Sequence, residues 1–586
     1  MAYKKSKKSI ALLLSISIFT MSIVGCSSSD IEGEKTIQKE SKNELSEYQN
    51  STIQNTEYGK VEGYLDDEDK TLIWKGIPYA KAPVGDLRWK EPQDPENWTK
   101  TLDATEPEEI ATQLSGNEIK GSDDCLSLDI YRPNTDEKNL PVLVFIHGGN
   151  NQTGSSADID GTNLAVNANA IVVSIQYRLG ALGFINLPAL KDGNEYENSG
   201  NFALLDINKA LDWVNENIAN FGGNKENITV SGFSAGGRNV MAMLISPMFE
   251  GKFQKAISFS GGMTIADYDD SEKVFAKAIA PLVVEDKVKS NEEEAYEWLL
   301  TDDKDVKEYL YNISSDRLVN LMNNAGIRMS VFPHLFNDGV VLPKEGFDTE
   351  NYNDVPLIML ASSGEFSGFA AGDKYFAGTD IETLLTDENK YNEYRFAVDY
   401  GNKLYGLFNA EESAKRMINK YKSPIYTCDF DYGDNEEVVG EKLAKSLGSF
   451  HGVFLPFLAD ELIGISAAFP EAFENNGAKD LTEKFTKYIS NFLWNDDPNS
   501  EGLVKWEKWT NENDGPTQLL LDANKDEAII QMSYERTDYK NILEEIDNDN
   551  TISQEAKNKI IKEVLNGRWF SNELDKTYGN ESLWIE

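Results

Sequence analysis

The stretch VSGFSAGGRNV, residues 230–240, sets Ser234 between Gly232 and Gly236, with Gly237 just behind. A nucleophile on a sharp strand-to-helix turn needs this little side-chain bulk around it; an ordinary surface loop does not. Val230 closes an apolar run, and Met241, Leu244 and Ile245 begin the apolar face of a helix. A hydroxyl placed there stands exposed on strained backbone, at a helix N-terminus whose amides favour developing negative charge. The chemistry implied is attack on an acyl carbon, which needs a base and an acid to orient that base.

The chain has three histidines, His147, His334 and His451. His147, in IHGGN directly after an apolar run, is placed to shape a loop rather than to take a proton. His334 lies in VFPHLFNDGVVLP and His451 in LGSFHGVFLPF. An elbow serine takes its partners in the chain order nucleophile, acid, base, and only His451 leaves room for a preceding acid. With 99 acidic residues, composition cannot choose that acid. Asp338 and Glu345 both fall in the interval.

The elements that must position these groups are legible as apolar runs. PVLVFIHGG (141–149), AIVVSIQY (170–177), NITVSG (227–232), KAISFSG (255–261) and PLIMLAS (356–362) are nearly continuous apolar segments. Such strands suit a parallel sheet covered on both faces. Leu204, Ile207, Leu211, Val214, Ile218 and Phe221 recur at steps of three and four, predicting a helix that FGG ends. Strand, helix, strand and then serine is a βα unit feeding an elbow.

Bulk properties bound the function. The 586 residues are 40% hydrophobic, enough for a large core, and the net charge is −43. No basic run offsets that charge, which argues against nucleic acid as a partner. MAYKKSKKSIALLLSISIFTMSIVGC begins with four lysines and continues in an apolar run, a secretory signal pattern. Its IVGC end resembles the bacterial lipoprotein box, which implies cleavage of residues 1–25, lipid on Cys26 and a membrane surface as partner at the outer face of the cell membrane. Residues 26–56 are polar and read as a tether, with the globular part running over 57–586 as a single domain. Only Cys125 and Cys428 follow, and no cysteine pair is spaced to bind zinc. Nothing in the sequence sets the oligomeric state.

Several longer motifs resemble the type-B carboxylesterase family, which includes the cholinesterases. They are TLIWKGIPYAKAPVGDLRWKEPQ (71–93), SDDCLSLDIYRP (122–133), VVSIQYRLGALGF (172–184), FGGNKENITVSGFSAGG (221–237) and YISNFLWNDDPNS (488–500) with Trp506 and Trp509. The resemblance covers about residues 57–510. It implies an α/β-hydrolase fold, with a large, mostly parallel central sheet covered by helices on both faces. It also implies a serine hydrolase cleaving carboxylic esters through an acyl-enzyme, with no metal or organic cofactor.

The family's acid is usually a glutamate before a glycine, after a strand. Glu365 in PLIMLASSGEFSGFA takes that place, although Phe366 stands where the glycine is common. The resemblance thus implies Ser234 as nucleophile, His451 as base and Glu365 as acid. It places the oxyanion hole at the amides of Gly149, Asn150 and Ala235. Here the sequence departs from the family's three glycines and following aromatic, reading His147-Gly148-Gly149-Asn150-Asn151. Asn tolerates positive φ best among non-glycine residues, so the hole is expected to persist, with Asn151 removing an aromatic wall. Family members often pair a cysteine at the position of Cys125 with one upstream; Ala111 stands about there, so Cys125 is expected to be a free buried thiol. Two other functions fit the same residues less well: hydrolysis of an amide, carbamate or lactone, and a non-catalytic surface binding protein.

Overall fold

The five apolar runs are all strands of one eleven-stranded sheet in the computed structural model, which describes residues 48–580 except 67, 69, 323, 324 and 377–380. In chain order the strands are β1 (Tyr64–Asp66), β2 (Thr71–Pro78), β3 (Ser127–Pro133), β4 (Leu140–Ile146), β5 (Ile171–Ile175), β6 (Gly223–Phe233), β7 (Lys255–Phe259), β8 (Leu357–Ser362), β9 (Ile425–Phe430), β10 (Leu519–Ala523) and β11 (Ala528–Met532). Across the sheet they run β11-β10-β9-β8-β7-β6-β4-β5-β3-β2-β1. The stretch from β10 to β5 is parallel, and antiparallel strands close both edges.

The central strands are buried along their whole length because each face carries a separate core. Val142, Val144 and Ile146 of β4 point to one side, where the helix α1 (Phe202–Asn217) packs its predicted stripe. Leu143 and Phe145 point to the other, toward Phe485 and Phe492 of a long late helix, Asn476–Asn495. This alternation is what a pleated strand with two covered faces requires. α1 ends through one 3-10 turn, Ile218–Phe221, at Gly222 with φ +82°. The helix α2 (Ala235–Ile245) follows β6 directly and is buried at every position.

The ordered domain begins earlier than residue 57, which corrects the tether boundary. Tyr48 is buried, and the Arg132 guanidinium lies 3.8 Å from its ring centre. Ile53–Thr56 pairs antiparallel with Gly59–Glu62. Trp74 Nε1 donates to the Thr52 carbonyl at 2.7 Å, and Asn220 Nδ2 to that of Asn55 at 2.9 Å. The stretch is polar, but its backbone is held by buried groups far away in sequence, which composition does not reveal. Cys26, the signal segment and the tether up to residue 47 lie outside the described residues. Cys125 and Cys428 are free and buried.

Candidate active site

Ser234 sits between β6 and α2 at φ 57°, ψ −113°, a strained backbone that costs on the order of 1–3 kcal/mol. The turn closes only because of its glycines. A Cβ on Gly232 would stand 2.3 Å from the Gly236 carbonyl carbon, and one on Gly236 would stand 1.9 Å from the Ile146 oxygen. The Ser234 amide donates to Phe259 O at 2.8 Å, tying the elbow to β7.

Glu365 follows β8 and is completely buried. Its Oε1 accepts the Ser362 amide at 2.9 Å, and its Oε2 accepts Nδ1–H of His451. Burial opposes ionisation of this carboxyl. The charge and hydrogen bond of His451, with bonds from Ser260 and the Ser362 amide, outweigh that and hold it below the ordinary glutamate range. The Glu365 and His451 loops are joined by a parallel bridge, Gly364 to Phe450, with Gly364 N donating to Ser449 O at 2.9 Å. A Cβ on Gly364 would meet that oxygen at 2.5 Å, so the approach depends on glycine.

With Nδ1–H committed to the carboxylate, Nε2 of His451 carries the lone pair. This atom is buried and has no hydrogen-bond partner among the described residues. The imidazole packs on Phe233, Ser234's neighbour, at 4.8 Å, and on Phe369 at 5.3 Å and Tyr405 at 5.8 Å. Phe369 also lines a cleft of about 840 Å³ bounded by Arg328, Asp373, Tyr375 and Arg568.

The glycine-poor loop after β4 adopts the backbone a glycine run would. Gly149, Asn150 and Asn151 have φ of +89°, +58° and +56°. The amides of Gly149, Asn150 and Ala235 donate to no other described group. Three preorganised donors beside an elbow serine are suited to an oxyanion. Asn150 Nδ2 donates to Gln152 Oε1 at 2.7 Å, and its Oδ1 accepts Arg238 Nη2 at 3.2 Å. The side chain of Asn151 turns inward, is fully buried and exchanges hydrogen bonds with Asn239 at 2.9 and 3.1 Å.

The competing residues are occupied elsewhere. Asp338 accepts the amides of Val340, Val341 and Leu342, and Glu345 is exposed. His147 stacks on Tyr177 at 4.4 Å, and burial lowers its basicity. His334 is fully buried between the Phe332 carbonyl and Arg238; burial and that cation keep it well below the usual histidine range. Sequence reasoning passed over Arg238, Tyr405, Trp569 and Phe570. The one local signal is the pair Arg238-Asn239 inside the mostly apolar helix after the elbow.

The model of the Carboxylesterase family matches residues 50–540. A para-nitrobenzyl esterase of Bacillus subtilis is 45% identical over 218 residues, 36% of this chain and 43% of that protein. An acylcarnitine hydrolase of Rattus norvegicus is 30% identical over 519 residues, 78% of this chain and 86% of the other. Among solved structures, a para-nitrobenzyl esterase superposes with TM-score 0.63 at 27% identity, covering 82% of this chain and 97% of its own. A carboxylesterase of Geobacillus stearothermophilus gives 0.64 at 25% identity, over 82% and 98%. A family match across most of the chain, with a relative 30% identical over 86% of its own length, makes this protein a member of the carboxylesterase family.

Proposed function

We propose that the protein hydrolyses carboxylic esters with Ser234 as nucleophile, His451 as base and Glu365 as the acid that orients it. The observation that carries the reading is the buried Glu365–His451 hydrogen bond beside an elbow serine at positive φ. Oγ attacks the carbonyl carbon while its proton passes to Nε2, and the carbonyl π pair moves to oxygen. The amides of Gly149, Asn150 and Ala235 receive that oxyanion. Nε2 returns the proton to the leaving alcohol as the C–O bond breaks. Water, deprotonated in the same way, then releases the acid from the acyl-enzyme. The family and the esterase relatives support an ester as substrate. A fluorophosphonate probe with a panel of aryl and alkyl esters tests this: Ser234 labels, esters turn over, and Ser234→Ala does neither. An unlabelled Ser234 would overturn it.

A lipid anchor at Cys26 is a separate proposal, supported by the lysines, apolar run and IVGC of the first 26 residues. Intact-mass measurement of membrane-extracted protein should find diacylglycerol on Cys26, absent in Cys26→Ser. A mature chain that starts elsewhere without lipid contradicts it.

A further inference from the structure

Four arginines are almost completely buried; two of them meet a carboxylate and a third is held by three backbone carbonyls. Arg178 pairs with Asp206 at 2.7 Å, Arg568 with Asp373 at 2.7 Å, and Arg132 donates to the carbonyls of Pro133, Thr135 and Glu137. Arg238 is 1% exposed and has no carboxylate in ion-pair reach among the described residues. Its Nη1 meets the neutral His334 at 2.9 Å and its Nη2 donates to Asn150 Oδ1 at 3.2 Å. Its plane lies 3.6 Å from the Trp569 ring centre, and Nε has no partner. Burial pushes its pKa down to about 10, so it stays charged at neutral pH. A buried charge without a counter-ion is costly, and groups perturbed in this way cluster at functional sites.

The position of this charge says what would compensate it. Arg238 lies one turn after the nucleophile on α2, its amide bonded to Ser234 O at 3.0 Å. Its guanidinium grips the side chain of Asn150, whose amide is one of the three donors facing the oxyanion. Attack by Ser234 creates two charges at once: imidazolium on His451 and oxyanion at the carbonyl oxygen. Glu365 already answers the first. We propose that Arg238 answers the second: it is a positioning residue that fixes Asn150 and supplies a buried positive field that stabilises the tetrahedral oxyanion. The inference rests on the ester-hydrolase reading above.

The charge is separated from shape by Arg238→Gln, which keeps hydrogen-bonding atoms without charge, and Arg238→Lys, which keeps charge. For Arg238→Gln, kcat should fall about 30-fold with KM within about twofold, below the loss from deleting an oxyanion donor outright. Arg238→Lys should recover most of that. A trifluoromethyl ketone, which binds as an anionic hemiketal, should weaken by the same factor as kcat; the matching trifluoromethyl alcohol, tetrahedral but neutral, should not. The thermal midpoint of Arg238→Gln should equal or exceed that of the unsubstituted protein, because a buried charge has gone. Unchanged kcat in Arg238→Gln, or equal weakening of ketone and alcohol, overturns the inference while leaving ester hydrolysis standing. Absence of ester turnover and of Ser234 labelling in the unsubstituted protein overturns the functional reading and this inference with it.

Discussion

Nδ1 of His451 donates to Oε2 of Glu365, and the same carboxylate is held from its other oxygen by the Ser362 amide at 2.9 Å. The acid is thus clamped to the end of its own strand while it fixes the imidazole tautomer. Replacing Ser234 or His451 with alanine should lower kcat by about three orders of magnitude or more. Glu365→Gln should cost less, since the serine–histidine pair remains, though with the imidazole free to take the wrong tautomer. Steady-state kinetics on one aryl ester check all three. Near-normal turnover in His451→Ala would remove it as the base.

Phe366, the residue after Glu365, is matched by a glycine elsewhere. A Cβ on Gly401, in the helix Glu388–Asn409, would lie 2.1 Å from the Phe366 ring. Gly401→Ala should therefore push Phe366 and, through the adjoining backbone, Glu365. Overpacking of this kind costs about 1–3 kcal/mol. The expected result is a lower thermal midpoint together with a lower kcat at nearly unchanged KM. A drop in stability with unaltered kcat would show that Glu365 is insulated from its neighbour.

Residues 48–56 belong to the domain through Tyr48 on Arg132 and the pairing of Ile53–Thr56 with Gly59–Glu62. A chain starting at residue 57 should melt several degrees below one starting at residue 44, because Arg132 loses its stacking partner and an edge strand its ladder. Equal melting points would return these residues to the tether.

What was readable in the sequence was local. Continuous apolar runs gave the central strands, since a strand covered on both faces leaves no polar alternation to confuse. The glycines around Ser234 were readable because close backbone approach admits little else. What was not readable depends on distant packing. Asn151 looks like a pocket residue beside Asn150, yet the backbone turn sends it inward to Asn239. Trp569 and Phe570 lie beyond the family match, yet Trp569 covers Arg238, and Phe570 stacks at 4.5 Å on Tyr405, which itself stacks on His451. No spacing rule links residue 569 to residue 238.

The fold raises the pKa of several carboxyls. Burial raises Glu411 to about 7 and, with Asp431 and Asp434 nearby, Asp522 to about 6. Burial and the same neighbours hold Asp429 well above its ordinary range. Unfolded carboxyls release their protons near pH 4, so between about pH 4 and 7 these carboxyls bind more protons in the folded protein than in the unfolded chain, and their contribution to stability falls as pH rises across that window. The lowered pKa values of the buried His147 and His334 work against this trend, adding stability as pH rises through the ordinary histidine value. Glu365 also opposes it: its depressed pKa contributes stability above the ordinary glutamate value, lost only as pH falls through its lower folded value. The thermal midpoint should be higher at pH 5.5 than at pH 7.5, and the double variant Glu411→Gln/Asp522→Asn should flatten that slope. A slope unchanged by the double variant would assign it to the net charge of −43 instead.

Asn150 separates backbone from side chain at the oxyanion loop. Its φ of +58° costs an asparagine roughly 1 kcal/mol that glycine would not bear. Asn150→Gly keeps the amide and relieves that strain, but it releases Arg238 Nη2 and Gln152 Oε1 from their partner. These effects oppose one another, so short-ester kcat should stay within about tenfold, and bulkier acyl groups should be accepted better. Asn150→Pro removes the donor and, with φ locked near −65°, cannot adopt the loop's conformation at all. Its loss should reach about 3 kcal/mol of transition-state stabilisation or more. Kinetics of both variants on short and bulky esters at one pH decide the matter. If glycine proves as damaging as proline, the side chain's grip on Arg238, and not the backbone amide, is the dominant contribution of Asn150.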